Sequence, residues 1–153
     1  MRLSDNFTLA EFLKTSTGIK LQPQQKTINN IKTLCRNILQ PAREHIGHPL
    51  KITSGYRNRA LNRLIKGSST SQHLKGEAAD FIIPAINKTA SQALLINTFY
   101  WIAEHCQFNQ LILYMGAAQD DLTYKWVHVA TGPKKEVLVA FNGRYYNIEN
   151  KLI

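Results

Sequence analysis

Cysteine is scarce in this chain: Cys35 and Cys106 are the only two, far apart, and no Cys-x-x-Cys pair exists. A thiolate zinc finger is thereby excluded. Both lie in helix-like apolar patterns, so two buried free thiols are expected rather than a disulfide. Long apolar runs are lacking as well. No segment approaches the ~20 apolar residues that span a bilayer, and the opening "MRLSDNFTLAEF" has no uninterrupted apolar core of the kind a secretory signal needs. No membrane span is expected, and synthesis in a cytoplasm is. Acidic residues are few, 10 Asp and Glu against 19 Lys and Arg, for a formal net charge of +9. That excess favours an anionic partner: nucleic acid, an anionic envelope polymer or a carboxylate-bearing substrate. Yet the basic residues are scattered, with Lys134-Lys135 the only adjacent pair and no aromatic-interleaved basic stripe. A specific nucleic-acid site is therefore not expected.

What is present suits one globular domain over residues 1–153, with 44% hydrophobic and 19% charged residues. Residues 1–22 read as an N-terminal arm with a short helix at "LAEFLKT". From Gln24 to Gln40 apolar residues follow a helical period, and Pro41 should kink or end that helix, with one further turn to His45. "LKITSGY" reads as a strand, "NRALNRLI" as a short helix and "AADFII" as a buried strand. Asn87 or Thr89 can cap a helix to about His105, with Ala90, Ala93, Leu94, Tyr100 and Trp101 on its inner face. "QLILYM" and "KWVHVA" are further strands. "VLVAFNGRYYNI" is a hairpin at about 136–148, because Asn142-Gly143 suits a type I′ turn. No βαβ rhythm is sustained. The class is α+β, a small central antiparallel sheet flanked by helices.

Three places carry residues able to do chemistry. In "WVHVA" strand alternation puts Trp126, His128 and Ala130 on one face and Val127 and Val129 on the other. The valines suit a core, which leaves His128 beside a tryptophan on the wall of a cleft. In "HLKGEAAD" Gly76 lets the chain turn, so His73 can sit in a loop while Asp80 opens the strand. With His128 from a neighbouring strand, these would make a His-Asp-His set. Three protein ligands and an open position are how a catalytic zinc site is built. The other reading is a polar loop leading into a core strand, and spacing alone does not decide between them. In "ITSGYRNRALN" Arg57 leaves the end of a strand, where its fork can clamp a carboxylate bidentately, or is simply a surface arginine.

The combination "SGYRNRALNRLIKGSSTSQHLKGEAADF" with the later "WVHVA" resembles the zinc-dependent D-alanyl-D-alanine peptidase family, and looks most like its compact branch common among phages and bacteria. "LSDNFTLAEF" and "NILQPAREHIGHPLKITSGYR" also fit, so the resemblance covers about residues 3 to 131. The pattern S-x-H-x-x-G-x-A-x-D is met by Ser71, His73, Gly76, Ala78 and Asp80. The resemblance implies that His73, Asp80 and His128 are the ligands of a Zn2+ cofactor. It implies that Arg57 contacts substrate near the scissile amide, and that Ser71 and Gln72 are substrate contacts; Trp126, on the cleft wall beside His128, is expected to be a third. The implied scaffold is the one shared with hedgehog signalling domains.

One departure stands out. Well-known members place a carboxylate or histidine about three residues before the last zinc histidine, where this chain has Lys125. A lysine is ordinarily protonated and a poor base. Asp120 and Asp121, in the loop before that strand, and Glu77, between the ligands, are the candidate carboxylates. The expected activity is a metallopeptidase acting as a monomer on peptidoglycan stem peptides or cross-bridges, at the bacterial cell wall, as in a phage lysis or entry enzyme. The alternative is a zinc-containing wall-binding module of the same fold that has lost catalysis.

Overall fold

The helical period that begins near Gln24 folds as α2 (Gln25–Leu34), a wider π turn (Cys35–Leu39) and α3 (Gln40–Ile46) in the computed structural model, which describes residues 1–116 and 123–148. Pro41 does not end the helix. It falls in the first turn of α3, directly after the π turn, whose wider winding makes room for its ring. Gly47, at φ 70°, is the left-handed residue that stops α3.

The N-terminal segment is more than an arm. Leu3, Phe7 and Phe12 are fully buried, the last on the one-turn helix α1 (Leu9–Phe12). Its loop is tied to α3 through Gln40, which accepts from the Ser4 hydroxyl and the Asn6 N–H, both at 2.9 Å.

Among the described residues six strands follow: β1 (Lys51–Ser54), β2 (Ala78–Ile82), β3 (Gln110–Met115), β4 (Tyr124–Ala130), β5 (Glu136–Phe141) and β6 (Arg144–Asn147), with α4 (Arg59–Leu64) after β1 and α5 (Lys88–His105) after β2. They form one sheet in the order β1-β2-β4-β3-β5-β6. The class is mixed, helices with a sheet, compatible with α+β. The sheet is not wholly antiparallel, however, because β3 and β5 run parallel. The cause is a short connection. β4 ends at Ala130 beside Gln110, the chain crosses the start of β3, and β5 begins at Glu136 on the other side of Gln110. Gly132, at φ 145°, permits the close crossing over Asn109, where a Cβ would lie 2.6 Å from the asparagine's own. The β5–β6 hairpin turns at Asn142 and Gly143, both with positive φ, as a type I′ turn requires.

The helices pack on one face of the sheet. Ala79 and Phe81 of β2, Leu111 and Leu113 of β3, and Val127 and Val129 of β4 join Leu34, Ile38, Phe99 and Ile102 in a single core. Asn87 caps α5 by accepting from the Ala90 N–H at 2.8 Å. Its inner face is Leu95, Phe99, Ile102 and Ala103, not the expected Ala90, Ala93, Leu94, Tyr100 and Trp101. Ala93 and Tyr100 are exposed, and Leu94 and Trp101 only pack on the rim of the core. Apolar residues occur all round this helix, so periodicity alone could not choose its face. Both cysteines are free and buried.

Candidate metal centre and cleft

The other face of the sheet is open, and it carries the chemistry. Directly paired residues of neighbouring strands share a face. The register therefore lays out one row across the sheet, Ser54, Asp80, His128, Ile112 and Leu138, and a second row beside it, Trp126, Tyr114, Ala140 and Tyr145. Asp80 and His128 are thus fixed side by side by two central strands.

His73 reaches the same point from a loop. Asn62, buried on α4, anchors that loop by donating to the carbonyls of Gly67 and Ser68 at 3.3 and 3.0 Å. The loop closes in a 3-10 turn (Gln72–Lys75), capped by Ser71, whose hydroxyl accepts from the His73 N–H at 3.3 Å. Gly76 ends the turn at φ 71°, in a space where a Cβ would lie 2.7 Å from the Thr27 carbonyl oxygen of α2. Gly55 contributes by close approach rather than by unusual φ. Its Cα packs on α1, where a Cβ would lie 2.6 Å from the Phe12 Cα, and its carbonyl oxygen stands 2.7 Å from His73 Nδ1. Nδ1 therefore holds the proton and Nε2 is left as the lone-pair donor.

His73 Nε2 lies 3.3 Å and His128 Nδ1 2.8 Å from the same oxygen, Asp80 Oδ1. All three donor atoms fall within 4.8 Å of one another. Tetrahedral zinc with bonds of 2.0–2.2 Å separates its ligands by about 3.3–3.5 Å, so this donor set can hold a divalent ion with shifts of well under a residue's reach. Two imidazole nitrogens and one carboxylate oxygen are zinc-type donors, and three of them leave a position open. The second carboxylate oxygen, Oδ2, is 3.4 Å from Arg57 Nη2, and Arg57 is steadied by two bonds to Ser54 Oγ at 3.1 and 3.0 Å.

Burial pushes the Asp80 carboxyl up, but the hydrogen bond from His128 and the neighbouring His73 imidazole outweigh it and hold it well below the usual carboxylate range. Burial lowers Arg57, countered by the charge of Asp80. Burial, the Tyr145 hydroxyl and the Asp80 charge all raise Tyr114, so its phenol is neutral.

The group forms the floor of an open cleft of about 840 Å³. Trp126 lines it as expected, stacked on Tyr114 with ring centroids 4.5 Å apart at 14°. Ser71 and Gln72 line it too. The Gln72 amide, however, is committed internally: it donates to the Thr131 carbonyl at 3.0 Å and to Glu77 at 3.4 Å, and accepts from Asn109 at 3.0 Å. Glu77 is the one carboxylate besides Asp80 among the described residues of the cleft. Lys125 is exposed. Asp120 and Asp121 lie outside the described residues. Sequence reasoning missed Tyr114 and Tyr145, whose hydroxyls meet at 3.2 Å over the cleft. Parity could have aligned Tyr114 with Ile112, but no local signal brings β6 near the site.

Residues 5–112 match the family model described as Peptidase M15, whose members are zinc-dependent. No curated protein matches the chain. The match takes in Arg57, His73 and Asp80 and stops before β4, so the place of His128 rests on the strand pairing rather than on the match. Well over half of the sequence is covered, and the chain belongs to the peptidase M15 family of zinc D-alanyl-D-alanine peptidases.

Proposed function

We propose that the chain is a zinc metallopeptidase that hydrolyses peptidoglycan stem peptides or cross-bridges, of the D-alanyl-D-alanine carboxypeptidase or endopeptidase type. The observation that carries this reading is the convergence of His73 Nε2, Asp80 Oδ1 and His128 Nδ1 within 4.8 Å on the floor of a cleft. Those three atoms are the proposed zinc ligands. The scaffold is read as the D-alanyl-D-alanine peptidase and hedgehog type, supported by helices on one face of the sheet and the donor set on the other.

When bound, zinc supplies Lewis-acid polarisation of a carbonyl and a water of lowered pKa. The chain's own residues do the rest. Arg57, held by Ser54 against Asp80, offers its remaining N–H groups to a substrate oxygen, a carboxylate or the scissile carbonyl as charge grows on it. Tyr114 and Tyr145 have two hydroxyl protons between them and use one in their mutual bond, which leaves one to donate to substrate. Trp126 and Tyr114 wall the cleft and exclude water from one side. Proton transfer from the attacking water to the leaving amine is assigned to Glu77, oriented by Gln72, with Asp121 and Asp120 as the alternatives.

A second reading is favoured by Lys125, which stands where well-known family members have a base: a zinc-containing wall-binding module without turnover. The test is digestion of purified muropeptides by zinc-loaded protein with and without chelator, the products identified by mass spectrometry. Chelator-sensitive release of D-alanine or cleavage of a cross-bridge is expected. No product from zinc-loaded protein would eliminate the peptidase and leave the module. His73→Ala should lose the single bound zinc, and unchanged metal content in that variant would refute the ligand set.

A further inference from the structure

A second cleft, of about 820 Å³, lies behind the loop that carries His73. The serine-rich segment is the ridge between the two: Ser68, Thr70 and Ser71 line the metal side and Ser69 the other. The clefts meet at Arg57 and Lys75, which line both. The charge of the second cleft is of one sign. Arg57, Arg59, Arg63 and Lys75 line it, and among the described residues no carboxylate does.

Two of these cations are placed at a cost. Arg59 and Arg63 are four residues apart on α4, an arrangement in which like charges repel across one helical turn. Neither has an ion pair among the described residues, and nor does Lys75. Among the described residues Arg57 is the only one of the four with a carboxylate partner, Asp80, and that partner belongs to the first cleft. An open site walled by guanidinium forks, those of Arg59 and Arg63 without an ion pair among the described residues, is complementary to carboxylates or phosphates. The neutral lining chooses between them. Gln22 and Gln24 line this cleft, and their side-chain amides have no hydrogen-bond partner among the described residues. A carboxamide both donates and accepts, which matches the alternating N–H and C=O groups of a peptide backbone, whereas a phosphodiester offers acceptors only.

We propose that the second cleft binds an acidic arm of a peptide, the carboxylate-bearing part of the same substrate whose bond lies at the metal group. The identity of that substrate rests on the peptidase reading above, but the cleft's preference for an acidic peptide does not. Arg57 would then join the two clefts, and a charged side chain remote from the cleaved bond would set affinity.

The experiment is a binding titration of zinc-loaded protein, read by calorimetry at low and moderate salt. The probes are a peptide ending in D-alanyl-D-alanine with an upstream glutamyl carboxylate, and the same peptide with that carboxylate amidated. The acidic peptide is expected to bind about tenfold more tightly, with the difference shrinking as salt rises. Arg59→Gln with Arg63→Gln should make the two peptides bind alike, and Arg63→Glu should reverse the order. Circular dichroism on each variant checks that these exposed substitutions leave the fold intact. Equal affinities for the two peptides in the wild-type protein would overturn the proposal. So would tighter binding of a phosphodiester oligomer than of the acidic peptide. Because binding is read without turnover, an acidic preference abolished in the double variant supports the cleft even if neither peptide is cut, and in that case only the peptidase reading falls.

Discussion

Arg57 touches the oxygen of Asp80 that the two histidines leave alone: its Nη2 is 3.4 Å from Oδ2, while His73 and His128 both approach Oδ1. One carboxylate therefore serves the donor set with one oxygen and positions the arginine with the other. Arg57→Ala removes the fork without touching a donor atom. It is expected to keep its zinc while kcat/KM falls by about 10²–10³. Metal analysis alongside steady-state kinetics checks this, and full activity would remove Arg57 from the mechanism.

The paired phenols make a distinct prediction. If Tyr114 donates to substrate and Tyr145 only orients it, Tyr114→Phe should lower kcat/KM by about tenfold or more. Tyr145→Phe should cost less, and the double variant should match Tyr114→Phe alone, since the second change then has nothing left to orient. Additive losses would show that the two hydroxyls act independently.

Gly55 links packing to metal affinity. A Cβ there would lie 2.6 Å from backbone atoms of Phe12, so Gly55→Ala must push α1 or β1 aside at a cost of about 1–3 kcal/mol. The same displacement moves the carbonyl that holds His73 Nδ1. Zinc affinity should fall by about 10–100-fold. Competition with a chelator measures the affinity and urea unfolding the stability. Lost stability with unchanged affinity would break the proposed link.

Burial, with a smaller push from Glu11, raises the Cys35 thiol to about 12, and burial raises Cys106 as well. The fold thus favours the neutral thiol over an ordinary value near 8.5. That contribution is complete below the unfolded pKa and is lost as pH rises from about 9 toward 12. Native protein at pH 8 should resist alkylation at both cysteines over hours and label fully in denaturant. Rapid labelling of the native form would contradict the burial.

Much of the site was legible because strand alternation is local. The parity of "WVHVA" put His128 opposite the core valines before any pairing was known, and the family motif around His73 and Asp80 named their neighbours. What was not legible depended on which strands are adjacent. The five residues between β4 and β5 could as well have made a hairpin between neighbours. Instead they cross β3 and bring Tyr145 within reach of Tyr114. Gln72 shows a different limit: its place beside His73 suggested contact with substrate, but only the fold reveals Thr131 and Asn109 already holding its amide. In α5 the apolar residues surround the axis, and the sheet beneath, not the helix's own pattern, chose Phe99 and Ile102.

The crossing of the chain from β4 to β5 past the start of β3 also has a bearing on solubility. β3 carries Leu111, Ile112 and Leu113 in sequence, all buried, and it is interior only because the hairpin covers its outer side. Protein shortened at about residue 131 would keep every proposed zinc ligand yet leave a bare apolar rim of unsatisfied amides and carbonyls. Such a rim recruits other chains, so the foreseeable outcome of trimming the last two strands is precipitation rather than a smaller working enzyme.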